Sequence, residues 1–152
     1  VLNRNAMNNR ISDDMTGKKK IVRPFGIFFV DVNGLKSVND TKGHLAGDNL
    51  LKDVASTLME VECENKEVYR VGGDEFMIIA ENATAEDALK INEELFKKSE
   101  REGRAHYAVG LCHSEEAADV IKAMQKADER MYEVKADYYS RHPEYEWQRK
   151  SR

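Results

Sequence analysis

Two carboxylates in this 152-residue sequence stand where they could do chemistry. Asp31 lies near the end of an apolar run, and Asp74 follows the glycine pair Gly72 and Gly73. A carboxylate at the end of a strand is expected to be exposed there, and glycines let a ligand approach the backbone closely. One or two carboxylates together with substrate phosphates commonly hold Mg²⁺ in proteins. These residues therefore favour metal-assisted phosphoryl or nucleotidyl transfer.

The strands that would carry these carboxylates can be predicted from short apolar runs. Residues 25–32 form a continuous run, which is typical of a strand buried on both faces. Residues 68–71 and 76–80 flank the glycine pair and predict a tight antiparallel hairpin. If this hairpin lies beside the first strand, Asp31 and Asp74 face one point. Taken singly, each motif is also typical of an ordinary turn.

Helical spacing accounts for most of the remaining chain. We predict a short helix near the N-terminus, two helices before the hairpin, a helix starting after a cap at Thr84, and a long helix capped at Ser114. A further strand is predicted over residues 107–112, and a turn around His44. The sequence thus predicts one α/β sandwich with a mixed or mostly antiparallel central sheet flanked by helices.

Composition excludes several classes of protein. The chain has 24 Lys and Arg against 28 Asp and Glu, a net charge of −4, which disfavours a nucleic-acid partner. No apolar run approaches the ~20 residues of a membrane-spanning helix. Cys63 and Cys112 lack metal-site spacing and are expected to be reduced, so we expect a cytoplasmic domain. We also expect it to be an excised part of a longer protein, in which a membrane anchor remains an open alternative.

Three blocks of sequence resemble the GGDEF domains, most of which are diguanylate cyclases. The pentapeptide 72–76 carries the name-giving motif intact. Residues 31–48 match the pattern D-x-D-x-F-K-x-x-N-D-x-x-G-H-x-x-G-D in most positions, and residues 127–135 are similar to A-D-x-A-L-Y-x-A-K. The resemblance covers nearly the whole chain and implies a nucleotidyl-cyclase, palm-like fold. It also implies a domain over residues 1–141, followed by a polar tail over residues 142–152.

The resemblance assigns roles to residues. It implies that Mg²⁺, with Mn²⁺ as an alternative, binds Asp31, Asp74 and the Val32 carbonyl, and that Asp74 and Glu75 are catalytic. The implied substrate-binding residues are Asn39 and Asp48 at the guanine edge, His44 beside the substrate, Lys36 and Lys135 at the phosphates, and Gly72 and Gly73 at the hairpin. For His44, ordering of the loop is an equal alternative. A carboxylate suits guanine because the N1–H and N2–H₂ groups are donors.

Several positions depart from the family pattern. Asn33 replaces a second aspartate, and we expect this to weaken metal tuning without loss of the site. Gly34-Leu35 replaces an aromatic pair. Tyr139 stands in place of an arginine, for which Arg141 could substitute. Cys63 and Lys66 replace the arginine and aspartate of an R-x-x-D product site, so we expect no inhibitory product site.

The implied activity is the condensation of two GTP molecules into cyclic di-GMP, a bacterial second messenger, with release of two pyrophosphates. The implied partners are a second GGDEF domain, which completes a catalytic homodimer, and an upstream sensor domain. Three alternatives remain: a degenerate GTP-binding regulator without turnover, a cyclase with another nucleotide preference, and a protein-interaction scaffold. Asp48 argues for guanine, and the three intact blocks argue against a scaffold.

Overall fold

The computed structural model describes residues 1–101 and 106–144. These residues form five α-helices and four strands, with a short 3₁₀ turn before the last helix. In chain order these are α1 (Arg4–Thr16), β1 (Phe25–Val32), α2 (Leu35–Lys42), α3 (His44–Glu60), β2 (Lys66–Arg70), β3 (Glu75–Glu81), α4 (Ala85–Ser99), β4 (Tyr107–His113), the 3₁₀ turn (Ser114–Glu116) and α5 (Val120–Arg141).

The four strands form one antiparallel sheet in the order β2-β3-β1-β4. Strand β1 is central and buried at every position, as its unbroken apolar run predicts. Alternate β1 side chains enter two cores, because successive side chains of a strand point to opposite faces. Phe28 and Val30 pack with α3 and α4, whereas Ile27 and Phe29 pack with α1 and α5. The predicted α/β sandwich is confirmed.

The start of the last helix differs from the prediction. Asp119, not Ser114, caps α5, and its side chain accepts from the Lys122 amide at 2.9 Å. The Ser114 hydroxyl instead accepts from the Phe25 amide at 2.9 Å, so it fixes the start of β1. Local sequence did not distinguish the two because both residues are good N-caps.

The predicted turn around His44 is also wrong. His44 is the first residue of α3, and Gly43 alone makes the break between α2 and α3, with a φ of 88°. Such a φ belongs to the left-handed side of backbone space, where glycine meets no steric penalty. Gly47 lies inside α3, so the 8-residue α2 and the 17-residue α3 meet at a single glycine, Gly43.

Helix α5 packs unusually close to the sheet at Gly110 of β4. A β-carbon at that position would lie 2.0 Å from the Ala127 carbonyl oxygen and 2.2 Å from the Met131 nitrogen. Helix α5 buries Tyr132 and Lys135, whereas Val134 is 49% exposed. Among the described helices, none is long and apolar enough to cross a membrane.

Candidate functional site

The sheet brings three carboxylates together where β1 meets the hairpin turn. Asp31 pairs across the strands with Glu75, and the Val32 amide donates to the Asp74 carbonyl at 2.9 Å. Carboxylate oxygens of Asp31, Asp74 and Glu75 lie within 4.8 Å of one another. The hairpin therefore neighbours the first strand, as the sequence argument required. Glu75 belongs to this carboxylate cluster. The predicted set of metal ligands had comprised only Asp31, Asp74 and the Val32 carbonyl.

Asp31 is buried rather than exposed, which corrects the expectation of an open strand end. Its residue is 1% exposed because β4 continues alongside β1 and α5 covers the strand end. The ammonium of Lys135, on α5, donates to the Asp31 carboxylate at 2.5 Å and to the Val32 carbonyl at 3.2 Å. The cation of the site is thus an internal lysine bonded to two of the predicted metal ligands.

The electrostatics of this cluster favour binding of a further cation. The pKa of Asp31 is raised to about 7: burial is the largest cause, the charges of Asp74 and Glu75 act in the same direction, and the Lys135 ammonium opposes them. Grouped carboxylates repel one another, and a divalent cation relieves that repulsion. Carboxylate and carbonyl oxygens are the ligands that Mg²⁺ and Mn²⁺ prefer. The residues present therefore fit such an ion.

The hairpin turn is held by a residue that the sequence argument had not placed in the site. Arg70, at the end of β2, donates to the Gly73 carbonyl at 2.8 Å and to the Gly72 carbonyl at 3.3 Å. Neither glycine has a positive φ, so the turn is not the mirror-image type that a Gly-Gly hairpin favours. A β-carbon at Gly73 would meet nothing within 4 Å. Neither backbone conformation nor packing within the described residues requires glycine there.

Tyr139 connects α5 to the turn that follows β1. Its hydroxyl accepts from the Gly34 amide at 2.8 Å, and its ring centroid lies 5.8 Å from the Lys135 ammonium. Gly34 has a φ of 74°, so the turn after β1 uses the conformational freedom of glycine. The alternative cation, Arg141, pairs with Asp137 on the surface of α5 at 3.0 Å. In this structure a tyrosine occupies the place that the family pattern gives to arginine.

The predicted base-recognition residues lie on α2 and α3. Asp48 is exposed and lines a cavity of about 520 Å³ between α3, the N-terminal residues and the end of β2. Asn39 is half-buried and rests its carboxamide over Gly47. His44 is exposed at the start of α3. Lys36 is exposed on α2 and pairs with Asp40 at 2.9 Å.

Of the two residues that replace the R-x-x-D pattern, Lys66 has structural partners. The Lys66 ammonium donates to the Met59 carbonyl at 2.6 Å and to the Val61 carbonyl. It therefore satisfies carbonyl groups at the C-terminus of α3, where a cation is favourable. Cys63 is a half-buried free thiol.

Comparison with protein families gives a match over residues 1–141, to the family described as diguanylate cyclase, GGDEF domain. A probable diguanylate cyclase of Escherichia coli, DgcI, is 37% identical over 106 residues, which are 69% of this chain and 24% of that protein. The bifunctional diguanylate cyclase/cyclic di-GMP phosphodiesterase MucR of Pseudomonas aeruginosa is 30% identical over 141 residues, or 88% of this chain and 21% of MucR. The chain thus spans about a quarter or less of each of these two curated relatives.

A solved structure supports the same assignment. A microbial GGDEF domain, described for its mode of interaction with cyclic di-GMP, superposes with a TM-score of 0.69 at 34% identity. The alignment covers 90% of this chain and 88% of that one.

Proposed function

Because the chain belongs to the GGDEF family, we propose that it is a diguanylate cyclase domain that joins two GTP molecules into cyclic di-GMP and releases two pyrophosphates. The observation that carries this proposal is the cluster of Asp31, Asp74 and Glu75 within 4.8 Å. Such a cluster beside a glycine turn suits a nucleoside triphosphate bound with a divalent cation. We assign the activity to residues 1–141 and treat residues 142–152, of which 145–152 lie outside the described part, as a tail.

The proposed metal ligands are the carboxylates of Asp31 and Asp74 and the Val32 carbonyl, with Glu75 within reach. When bound there, Mg²⁺ or Mn²⁺ would neutralise charge that develops on the phosphate oxygens. Lys135 already contacts the Asp31 carboxylate and the Val32 carbonyl, so we expect its ammonium to turn towards a bound phosphate. A second lysine, Lys36, would contribute a further point charge. The open space at Gly73 would admit the phosphate chain close to the backbone.

The proposed base-recognition residues are Asn39 and Asp48, with His44 nearby. The Asp48 carboxylate would accept from the N1–H and N2–H₂ groups of guanine, and the Asn39 amide can both donate and accept. Adenine lacks these donors, so it would leave the Asp48 carboxylate and the Asn39 amide without partners. Each polar group that the bound base buries in this way costs ~1–3 kcal/mol. The exposed position of Asp48 beside a cavity supports this assignment.

The proposed reaction requires two domains, each holding one GTP. The 3′-oxygen of one GTP forms a bond to the α-phosphorus of the other, the bond to the β-phosphate oxygen breaks, and pyrophosphate leaves. The 3′-hydroxyl proton is lost in the same step, with Asp74 beside that hydroxyl. The second, reciprocal transfer closes the ring. We propose a homodimer for this geometry, a sensor domain that brings the pair together, a cytoplasmic location and no nucleic-acid partner.

A degenerate GTP-binding regulator is the second candidate. Two observations favour it. Tyr139 replaces the arginine of the family pattern, and the Lys135 ammonium donates hydrogen bonds to two of the proposed metal ligands, Asp31 and Val32. Such a domain would bind GTP without turnover. Binding and turnover therefore have to be measured separately.

The test is incubation of the chain, dimerised through a fused coiled coil, with GTP and Mg²⁺, followed by chromatography of the products. We expect cyclic di-GMP and pyrophosphate from the native sequence and from the exposed control Glu129→Gln. GTP binding without cyclic di-GMP would establish the degenerate regulator instead. Absence of both would refute any role for this site in GTP chemistry.

A further inference from the structure

Gly47 is buried in the first turn of α3, where its own backbone gives no reason for glycine. Its φ lies outside the positive range, and glycine in a helix costs ~1 kcal/mol relative to alanine. The reason for a glycine here is the packing of α3 against α2. A β-carbon at Gly47 would lie 1.8 Å from Oδ1 and 2.9 Å from Cγ of Asn39. The other near atom, Cδ1 of Leu35, is 3.4 Å away and tolerable.

We propose that Gly47 is a specificity-determining residue, because its missing β-carbon leaves the space in which the Asn39 carboxamide is oriented for the base. This inference rests on the proposed binding of GTP and deepens it. Gly47 is a positioning residue: it would act on the nucleotide only through Asn39. The next residue along α3 is Asp48, so the start of this helix would position both proposed base-recognition residues.

The contact between Gly47 and Asn39 predicts that a substitution at Gly47 alters recognition of the base without lowering the stability of the fold. The atom that would clash is the far end of a flexible side chain, so Asn39 can rotate away at little cost to the fold. Alanine would also improve the helix propensity of α3. Helix α2 has no fully buried residue, and Asn39 itself is only half-buried. We therefore expect Gly47→Ala to keep or raise stability while it displaces the Asn39 amide.

The test uses 3′-deoxy-GTP with Mg²⁺, which cannot react because it lacks the attacking hydroxyl. Its binding is measured by calorimetry for the native chain, Gly47→Ala, Asn39→Ala and the double variant, with Ser56→Ala as an exposed control on α3. Loss of a net hydrogen bond to the base predicts about five- to tenfold weaker binding for Gly47→Ala. ATP binding should not change, because the phosphate-binding residues are untouched.

The double variant decides the mechanism. If Gly47 acts through Asn39, Gly47→Ala has no further effect on affinity once Asn39 is alanine. Equal losses in both backgrounds, or unchanged 3′-deoxy-GTP affinity in a folded Gly47→Ala chain, would overturn the proposal. If Gly47→Ala alone lowers the melting temperature, the cycle still applies, because Asn39→Ala removes the clashing atoms. Failure of the native chain to bind 3′-deoxy-GTP would refute the proposed function instead.

Discussion

The β2–β3 hairpin has two ends that use charge in opposite ways. At the turn end, residues 72–75, carboxylates lie beside carboxylates, and the pKa of the neighbouring Asp31 is raised. At the open end, Lys66 and Glu81 are each bonded to groups that complement their charge. Lys66 bonds to carbonyls of α3, and Glu81 accepts from Arg10 at 3.0 Å and from the Val22 amide at 2.9 Å.

This difference distinguishes the candidate functional site at the turn end from the structural interactions at the open end. A charge already satisfied by the protein contributes to folding and has little left to offer a ligand. Like charges held together by a rigid sheet repel one another, and a bound cation relieves that repulsion. We therefore expect changes at the turn end to affect chemistry and changes at the open end to affect stability.

The largest effect is expected at the turn end. Asp74→Asn keeps the shape of the side chain and removes the carboxylate charge, so we expect at least ~100-fold loss of cyclic di-GMP formation. The melting temperature should stay close to that of the native chain, because Asp74 is only half-buried. Product chromatography and a thermal melt measure the two quantities, with Glu129→Gln as the control. Near-native turnover at saturating Mg²⁺ would exclude Asp74 from the metal site.

Gly110→Ala should disturb the turn end indirectly, by displacing helix α5, which packs against the sheet. The new β-carbon would meet backbone atoms of α5, which cannot rotate away, so the helix carrying Lys135 and Tyr139 must shift. We expect a fall in the free energy of unfolding of at least ~2 kcal/mol in urea titration. The matched control is Gly26→Ala, whose β-carbon would meet only side chains, at 3.3 Å and beyond. Equal effects of the two variants would show that close packing at Gly110 does not support the site.

The sequence predicted elements with strong local patterns and missed contacts made between distant elements. The unbroken run of β1 and the cap at Thr84 were both recognisable because each depends on neighbouring residues. Burial of Asp31 was not, since it depends on α5, about 100 residues later in the chain. Gly47 likewise gave no signal beyond its motif position, because its partner lies on another helix.

The open end is tested by Lys66→Met, which removes the ammonium and keeps an apolar side chain of similar length. Loss of charged hydrogen bonds to two carbonyls should lower the free energy of unfolding by ~1–2 kcal/mol. The exposed Lys90→Met serves as the control.

The same variant should not change inhibition by cyclic di-GMP. Neither Cys63 nor Lys66 supplies the guanidinium or carboxylate of a product site. Added cyclic di-GMP should therefore act only by competition, in the native chain and in Lys66→Met alike. Initial rates at several GTP concentrations measure this. Inhibition that high GTP fails to relieve would show that the open end, or another surface, still binds product.

The smallest effect concerns a carboxylate with purely structural partners. Hydrogen bonds from Arg130 lower the pKa of Glu116 from 4.5 to about 2, the opposite direction to Asp31. A lowered folded-state pKa stabilises the protein above about pH 4.5, and this contribution is lost as the pH falls towards 2. The pair is 43% exposed on both sides, so solvent limits its contribution to ~0.5–1 kcal/mol. Glu116→Gln should thus be less stable than the native chain at pH 6, with the gap narrowing as the pH falls from 4.5 towards 2. A gap in unfolding free energy that stays constant over this range would mean that Arg130 does not hold Glu116 ionised, and that the contrast with Asp31 fails.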